Sequence, residues 1–395
     1  MTRRLRAAVL GLGRYGRLGA KALIDRGFFS EVVVGDVRVE LAKQLAAEMD
    51  NETVRVFGRY ANAEDHRSLL QFLEGASVLC SFVGPFEKYG YGFNPAKAAI
   101  EAGVNYVDIN DAVDETQRVL ALDKEARDVG VTIITGLGLS PGVSSIFARL
   151  GTDKLDEVHK IHIYFLGGSD PVISSTACRH LMASWRQEQV QIYRDGKLLK
   201  VQALSEMETL QLPELTSEAI EAYLFEHPEV VTLPHYLKGV KEVIVRGGWA
   251  PNWFAHRFRN LSDYGLDSDE PIEVAGMSVV PADFTAAFLA SDVARKIHVR
   301  KLKEIEIDPA DCGLWVTVRV DGRKSGKFLR YIYRLGDTKR LSIVMPTVIG
   351  SELLAAGEIR VRGAIPAEAI PDPKRILDRI ADIGISWQEI AEEGN

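Results

Sequence analysis

Residues 7–16 constrain this chain more than any other stretch: an apolar run, Ala7-Ala8-Val9-Leu10, passes directly into Gly11-Leu12-Gly13-Arg14-Tyr15-Gly16. A run of small and aliphatic residues reads as a strand buried on both faces, and G-x-G-x-x-G at its end turns the chain sharply into a helix. The first glycine takes the tight turn, the second keeps a Cβ out of the space above the helix start, and the third lets helix lie against strand. A helix that begins there offers free N–H groups and partial positive charge to an anion, so a phosphate needs no basic side chain.

A glycine-rich turn after a strand also occurs where nothing binds, so the surroundings decide. A helical stretch over 17–26 is followed by Val32-Val33-Val34-Gly35, which ends in Asp36, about twenty residues past the third glycine. A carboxylate at that point accepts both hydrogen bonds of an adenosine ribose diol and repels a 2′-phosphate. The pattern predicts a nicotinamide dinucleotide, NAD in preference to NADP, held by Gly11, Gly13, Arg14, Tyr15, Gly16, Asp36 and Val37. Arg38 can accommodate a 2′-phosphate, or it is a solvated residue at a helix start.

Apolar runs then alternate with helical patterns, the signature of a parallel sheet with crossover helices. Strands are predicted over 6–10, 31–36, 54–57, 77–83, 105–109 and 131–135, with helices over 39–49, 66–73, 95–102 and 115–129. The fold class is α/β: a Rossmann doubly wound parallel sheet over 1–140, with an inserted second α/β domain of mixed sheet over 141–340. A chain of 395 residues exceeds a single core, which also calls for two domains. The glycines and proline of 136–142 mark the change, and a helix over 143–150 reads as the hinge. Beyond it, alternating runs at 158–165 and 314–320 read as strands with one covered face, and Asp195-Gly196 and Asp321-Gly322 as hairpin turns. The C-terminal part, 341–395, is helical over 347–356 and 373–383 and is expected to return to the first domain.

A net charge of −7 argues against a nucleic-acid surface. No stretch is long enough to span a bilayer, and the basic residues at 3–6 precede an apolar run too short and too broken for a signal peptide. Cys80, Cys178 and Cys312 are odd in number and far apart, so neither a disulfide framework nor a zinc site is expected, and a reducing cytoplasm fits. His159 and His162 point to opposite faces of a strand and do not share a metal. No metal is expected at any site.

Ligands on a doubly wound sheet sit beyond the carboxyl ends of the strands. After the fourth strand, Ser81, Val83, Gly84 and Pro85 are expected to border a nicotinamide ribose, since Gly-Pro abandons the ladder there. In the same loop Lys88 and Tyr89 are an acid and base, or equally a solvated lysine and a packed tyrosine. After the fifth strand, Asp108 and Asp111 can hold an ammonium group or move a proton, although Asp111 reads as well as the N-cap of the next helix. Asp108 is the stronger candidate. Arg179 or Arg246 can clamp a carboxylate, with His180 nearby in sequence, and each has a structural alternative. Trp249, Trp253, Phe254 and Phe258 read first as core or interface, and second as an aromatic wall.

The chain resembles the saccharopine dehydrogenase-like family, which includes lysine 6-dehydrogenases and carboxynorspermidine dehydrogenases. The resemblance lies in Gly11 to Gly16, Asp36, Gly84-Pro85-Phe86 with Tyr89-Gly90, the run 102–108, and Gly136 with Ser140-Pro141-Gly142. It continues through Gly167-Gly168, Gly196-Lys197, the run 201–205 and Gly363 to Glu368. It implies a dinucleotide domain, an inserted domain that covers the nicotinamide and usually forms a homodimer, and hydride transfer at a carbon bearing nitrogen, in a lysine-derived amino acid or related amine. Asp108 matches the family's carboxylate after the fifth strand. The turn after the sixth strand is Gly-Leu-Ser-Pro-Gly, with Ser140 in place of an acidic residue; the resemblance sets that turn against substrate. An L-lysine 6-dehydrogenase is the alternative within the class. A dinucleotide-binding sensor without catalysis is the alternative outside it.

Overall fold

Ala7, Ala8, Val9, Val32, Val33 and Val34 have no exposed surface, because their two runs are neighbouring parallel strands covered on both faces. The structure is a computed structural model that describes residues 5–84, 90–169, 173–186 and 189–393. Along the chain the strands are β1 (Arg6–Leu10), β2 (Glu31–Asp36), β3 (Arg55–Tyr60), β4 (Val78–Ser81), β5 (Asn105–Asp108), β6 (Thr132–Thr135), β7 (Glu157–Gly168), β8 (Gln189–Arg194) and β9 (Lys197–Gln202). They continue as β10 (Glu208–Leu210), β11 (Ile220–Leu224), β12 (Glu242–Ala250), β13 (Ile272–Val274), β14 (Met277–Val279), β15 (Leu314–Lys324), β16 (Lys327–Asp337), β17 (Gly363–Pro366) and β18 (Trp387–Glu393).

The first sheet has the order β17-β6-β5-β4-β1-β2-β3 and is parallel throughout. From β1 the chain steps outward to β2 and β3, then returns to lay β4 on the other side of β1. That reversal opens a crevice above the ends of β1 and β4. Register makes the carboxyl edge explicit: Gly35 pairs with Leu10, Leu10 with Ser81, Ser81 with Asp108, and Pro366 with Thr135. Residues just past this row share one edge.

Six strands were expected in this sheet and seven are present. The added one, β17, comes from the C-terminal part, where Gly363 at φ +114 swings the chain beside Thr132. The helix expected over 115–129 is two, Val113–Leu120 and Asp123–Val129. Between them the Leu122 N–H bonds to Val119 O at 3.1 Å, three residues back, so the turn tightens and the axis restarts.

The chain forms two compact units. The first is Met1–Leu155, His227–Lys238 and Leu341–Trp387. Helix Val143–Thr152, expected as the hinge, lies wholly inside it, with Val143 through Ala148 all buried. The C-terminal helices Leu341–Ala355 and Lys374–Ala381 also belong to it, as does helix Glu229–Tyr236 from the middle of the chain.

The second unit is Asp156–Glu226, Gly239–Arg340 and Gln388–Asn395. Its main sheet is mixed: β12 runs parallel to β7, while β15 pairs antiparallel with both β7 and β16. Asp195 at φ 52 and Gly196 at φ 75 turn the β8–β9 hairpin, as their sequence predicts. Asp321-Gly322 does not turn. Asp321 stays in β15, held by Arg330 Nε and Nη2 at 2.8 Å each, and the register shifts at this pair. The turn comes at Ser325 and Gly326, φ 51 and 80. Trp249, Phe254 and Phe258 are buried in one apolar cluster, with Trp253 packed on it.

Candidate active site at the carboxyl edge

The turn after β1 is built as its glycines require. Gly11 has φ +85, and its N–H bonds to Gly35 O at 2.8 Å. A Cβ on Gly16 would stand 1.7 Å from the Gly11 carbonyl oxygen, so the third glycine is fixed by packing. Gly13 differs. A Cβ there would meet nothing within 4 Å among the described residues, so none of them demands glycine at this position. The bare backbone instead leaves open space at the start of helix Arg14–Arg26, which carries no acidic residue in its first turn. That cradle fits a dinucleotide pyrophosphate, which N–H groups of the helix start would hold. Arg17 Nε bonds back to Leu12 O at 3.0 Å.

Asp36, at the tip of β2, is buried and saturated. It accepts from the Leu12 N–H at 2.8 Å, the Arg38 N–H at 3.0 Å, Arg38 Nε at 2.9 Å and Arg38 Nη2 at 3.2 Å. Burial would raise its pKa, but the Arg38 guanidinium and these N–H donors outweigh it and hold the carboxyl below its ordinary value. Ribose hydroxyls would find its oxygens occupied. The exposed group here is Arg38, and Val37 beside it is also exposed.

Past β4, the Phe82 N–H bonds to Leu10 O at 2.9 Å, and a Cβ on Gly11 would come within 2.9 Å of Val83 Cγ2. The β1 and β4 loops therefore meet, and Val83 and Gly84 are half-buried there. Ser81 is fully buried, and its Oγ has no partner in hydrogen-bond geometry among the described residues. Pro85, Lys88 and Tyr89 lie outside the described residues.

Asp108 ends β5 with no exposed surface. Tyr106 OH donates to it at 2.8 Å, Gly136 N–H at 2.7 Å, Asn110 N–H at 3.0 Å and Thr135 Oγ1 at 3.1 Å. Burial lifts its pKa to about 6 even against these donors. The carboxylate ties the tip of β5 to that of β6. Asp111 is half-buried, and the helix that follows takes Ala112 as its N-cap. The Ala112 N–H goes to Asn110 Oδ1 at 3.0 Å, a local turn, and the helix start has no side-chain cap, so Asp111 does not fill the capping role its sequence also suggested.

The loop after β6 brings Ser140 to the same edge, half-buried, where its hydroxyl donates to Glu229 Oε1 at 2.7 Å. Glu229 is fully buried and also receives Ser144 Oγ at 2.6 Å, while its Oε2 meets His227 Nδ1 at 2.6 Å. Burial pushes its pKa up, but His227 and the two serines prevail and hold it below the ordinary value. Glu368, two residues past β17, is buried and raised to about 7 by desolvation. Sequence reasoning missed His227, Glu229 and Glu368. The available signal was an acid within an apolar helical run, Glu229-Val230-Val231-Thr232-Leu233.

The remaining candidates lie in the second unit. Arg179 pairs with Asp269 at 2.8 Å and Asp283 at 3.5 Å, and His180 follows it on helix Ser175–Arg186. Arg246 is 3% exposed and pairs with Glu208 at 3.1 Å, and its Nη1 has no partner among the described residues.

The match to known proteins agrees with the crevice. Residues 7–134 match the model described as saccharopine dehydrogenase NADP binding domain. Beyond it, the chain is 21% identical to a carboxyaminopropylagmatine dehydrogenase of Synechocystis sp., over 97% of this chain and 96% of that one. It is 22% identical to a carboxynorspermidine synthase of Vibrio alginolyticus over 86% and 84% of the two chains. A saccharopine dehydrogenase [NADP(+), L-glutamate-forming] of Pyricularia oryzae is 24% identical over 66% of this chain and 58% of its own. Among solved structures, a C. glutamicum DAP dehydrogenase in complex with DAP superposes with a TM-score of 0.47 at 14% identity, covering 97% of this chain and all of that one. Within the matched residues lie the glycine turn, Asp36, Arg38, Ser81 and Asp108. Ser140, Glu229 and Glu368 lie outside the matched residues.

Proposed function

We propose that this chain is an NAD(P)-dependent oxidoreductase of the saccharopine dehydrogenase type, acting at a C–N bond of a lysine-derived amino acid or related amine. One observation carries the reading: a single sheet edge holds, in order, the Asp36–Arg38 pair, the open cradle at Gly13, Ser81, Asp108 and Ser140. A dinucleotide laid along it from Arg38 would bring its nicotinamide, the hydride carrier, toward the ends of β4 and β5. The relatives matched over most of the chain are named for carboxylated polyamines, which favours a substrate joining an amine to a carboxylate-bearing carbon.

For the cofactor, we read Arg38 as the ligand of a 2′-phosphate, so that NADP binds at least as well as NAD. Asp108 positions the loops at the ends of β5 and β6; with no exposed surface, it acts through them. The test is spectrophotometric. The purified protein is mixed with NAD⁺ or NADP⁺ and with saccharopine, L-lysine or carboxylated polyamines, and absorbance at the reduced nicotinamide band is followed. Nucleotide binding with no turnover on any amine overturns the reading in favour of a sensor. Turnover of L-lysine equal to that of saccharopine moves the assignment to a lysine 6-dehydrogenase.

A further inference from the structure

We propose that Glu229 fixes Ser140 as a hydrogen-bond acceptor toward substrate, so that the loop after β6 selects a nitrogen that still carries hydrogen. This deepens the reading of the chain as an amine oxidoreductase and rests on it. A serine hydroxyl has one proton and two lone pairs. At Ser140 the proton is spent, because an ionised carboxylate 2.7 Å away can only accept. Anything else that approaches the Ser140 oxygen must bring a donor.

Three features hold the arrangement. Glu229 is fully buried and kept ionised by Ser140, Ser144 and His227, so it does not turn into a donor near neutral pH. It enters from helix Glu229–Tyr236, far along the chain but in the same compact unit as Ser140. The loop itself is anchored, with the Gly136 N–H on Asp108 Oδ1 at 2.7 Å and the Leu137 N–H on Asp108 O at 2.7 Å. Ser140 is the half-buried member of the group, while Ser144, His227 and Glu229 are buried. Of the four, the proposal sets Ser140 against substrate, and Glu229 acts through it as a positioning residue. An amine N–H meets an acceptor backed by negative charge. A carbonyl or ether oxygen of the same shape meets lone pairs and is rejected.

Binding and kinetics of S140A, E229Q, S144A and the S140A/E229Q double variant test this. S140A is expected to raise KM for the amine about tenfold, with NADP(H) affinity unchanged and a melting temperature lowered no more than in S144A, which removes the other serine from the same carboxylate. In E229Q the new amide can donate to Ser140 and reverse its sense, with the same loss. The double variant should be no worse than S140A alone. S144A removes a bond of 2.6 Å to the same carboxylate oxygen and is expected to keep KM within twofold; a merely structural Glu229 would make S144A and S140A alike. A second readout is calorimetric: a substrate analogue whose nitrogen is fully alkylated should bind wild type and S140A equally, while its N–H counterpart loses about tenfold in S140A. If E229Q does not fold, S140A with the two analogues decides. Equal loss for both analogues, or none for either, overturns the proposal while the amine reading stands. A wild-type protein inactive on every amine overturns both.

Discussion

Arg38 lies across Asp36, its Nε 2.9 Å from Oδ1 and its Nη2 3.2 Å from Oδ2, and together with two backbone N–H groups it fills the carboxylate. An acid at this position read alone favours NAD, because it would repel a 2′-phosphate. Covered by a guanidinium, it becomes the anchor of a cation. R38A is expected to weaken NADP binding about tenfold or more, the size of a lost charge-assisted hydrogen bond. NAD binding should change less than threefold, or improve as Asp36 is released. Quenching or enhancement of reduced-nucleotide fluorescence for both cofactors measures the ratio, and equal losses for the two would remove Arg38 from the phosphate.

Gly13 and Gly16 should respond to alanine in opposite ways. At Gly13 the backbone is extended, φ −68 and ψ −165, and a Cβ would meet no atom of the described residues. G13A is thus expected to melt with wild type and yet lose nucleotide affinity, because the methyl enters the cradle. At Gly16 the methyl would collide with the Gly11 carbonyl, so G16A should be destabilised by about 1–3 kcal/mol or more. Thermal denaturation and nucleotide titration on both variants separate the two glycines. A destabilised G13A would mean that the space is needed by the protein itself.

How far the sequence could be read depended on the range of the forces involved. β1 and β2 were legible to the residue, because a strand buried on both faces must be a continuous apolar run, and Asp36 follows from spacing within one βαβ unit. β17 was not. Its four residues contain a glycine and a proline, and it joins the sheet only by pairing with β6, more than two hundred residues away in sequence. The Asp321-Gly322 turn signal was overridden by the tertiary pairing of Asp321 with Arg330. The cradle was legible for the same reason as β1. The Ser140–Glu229–His227 group was hidden, since its members are brought together only by the packing of helix Glu229–Tyr236 in the first unit.

Asp108 can be separated from a proton carrier by substitution. Its four donors need an acceptor more than a charge: an asparagine oxygen can still receive the Gly136 and Asn110 N–H groups, and the Tyr106 and Thr135 hydroxyls can turn to accept. D108N is therefore expected to retain kcat within about fivefold and most of its stability. D108A leaves buried N–H groups unpaired and should cost about 1–3 kcal/mol. Chemical denaturation and steady-state rates of both variants check this. A D108N with intact stability and kcat reduced a hundredfold would return Asp108 to direct proton transfer.

Glu368 makes stability depend on pH in a calculable direction. Burial raises its pKa from 4.5 to about 7, so between those values the folded protein keeps a proton that the unfolded chain releases. Stability must then fall as pH rises through that window and level off above it. The full effect, at roughly 1.4 kcal/mol per unit, is on the order of 3 kcal/mol. Asp108, raised from 3.8 to about 6, adds a slope of the same sign at lower pH, so the informative quantity is the difference between wild type and E368Q. A glutamine does not titrate. E368Q should therefore gain on wild type steadily from pH 4.5 to pH 7, reach a plateau near pH 8, and show no further change above it. Urea unfolding midpoints at half-unit pH steps measure that difference, and a flat line across the window would mean that Glu368 has found a donor or water that restores its ordinary ionisation.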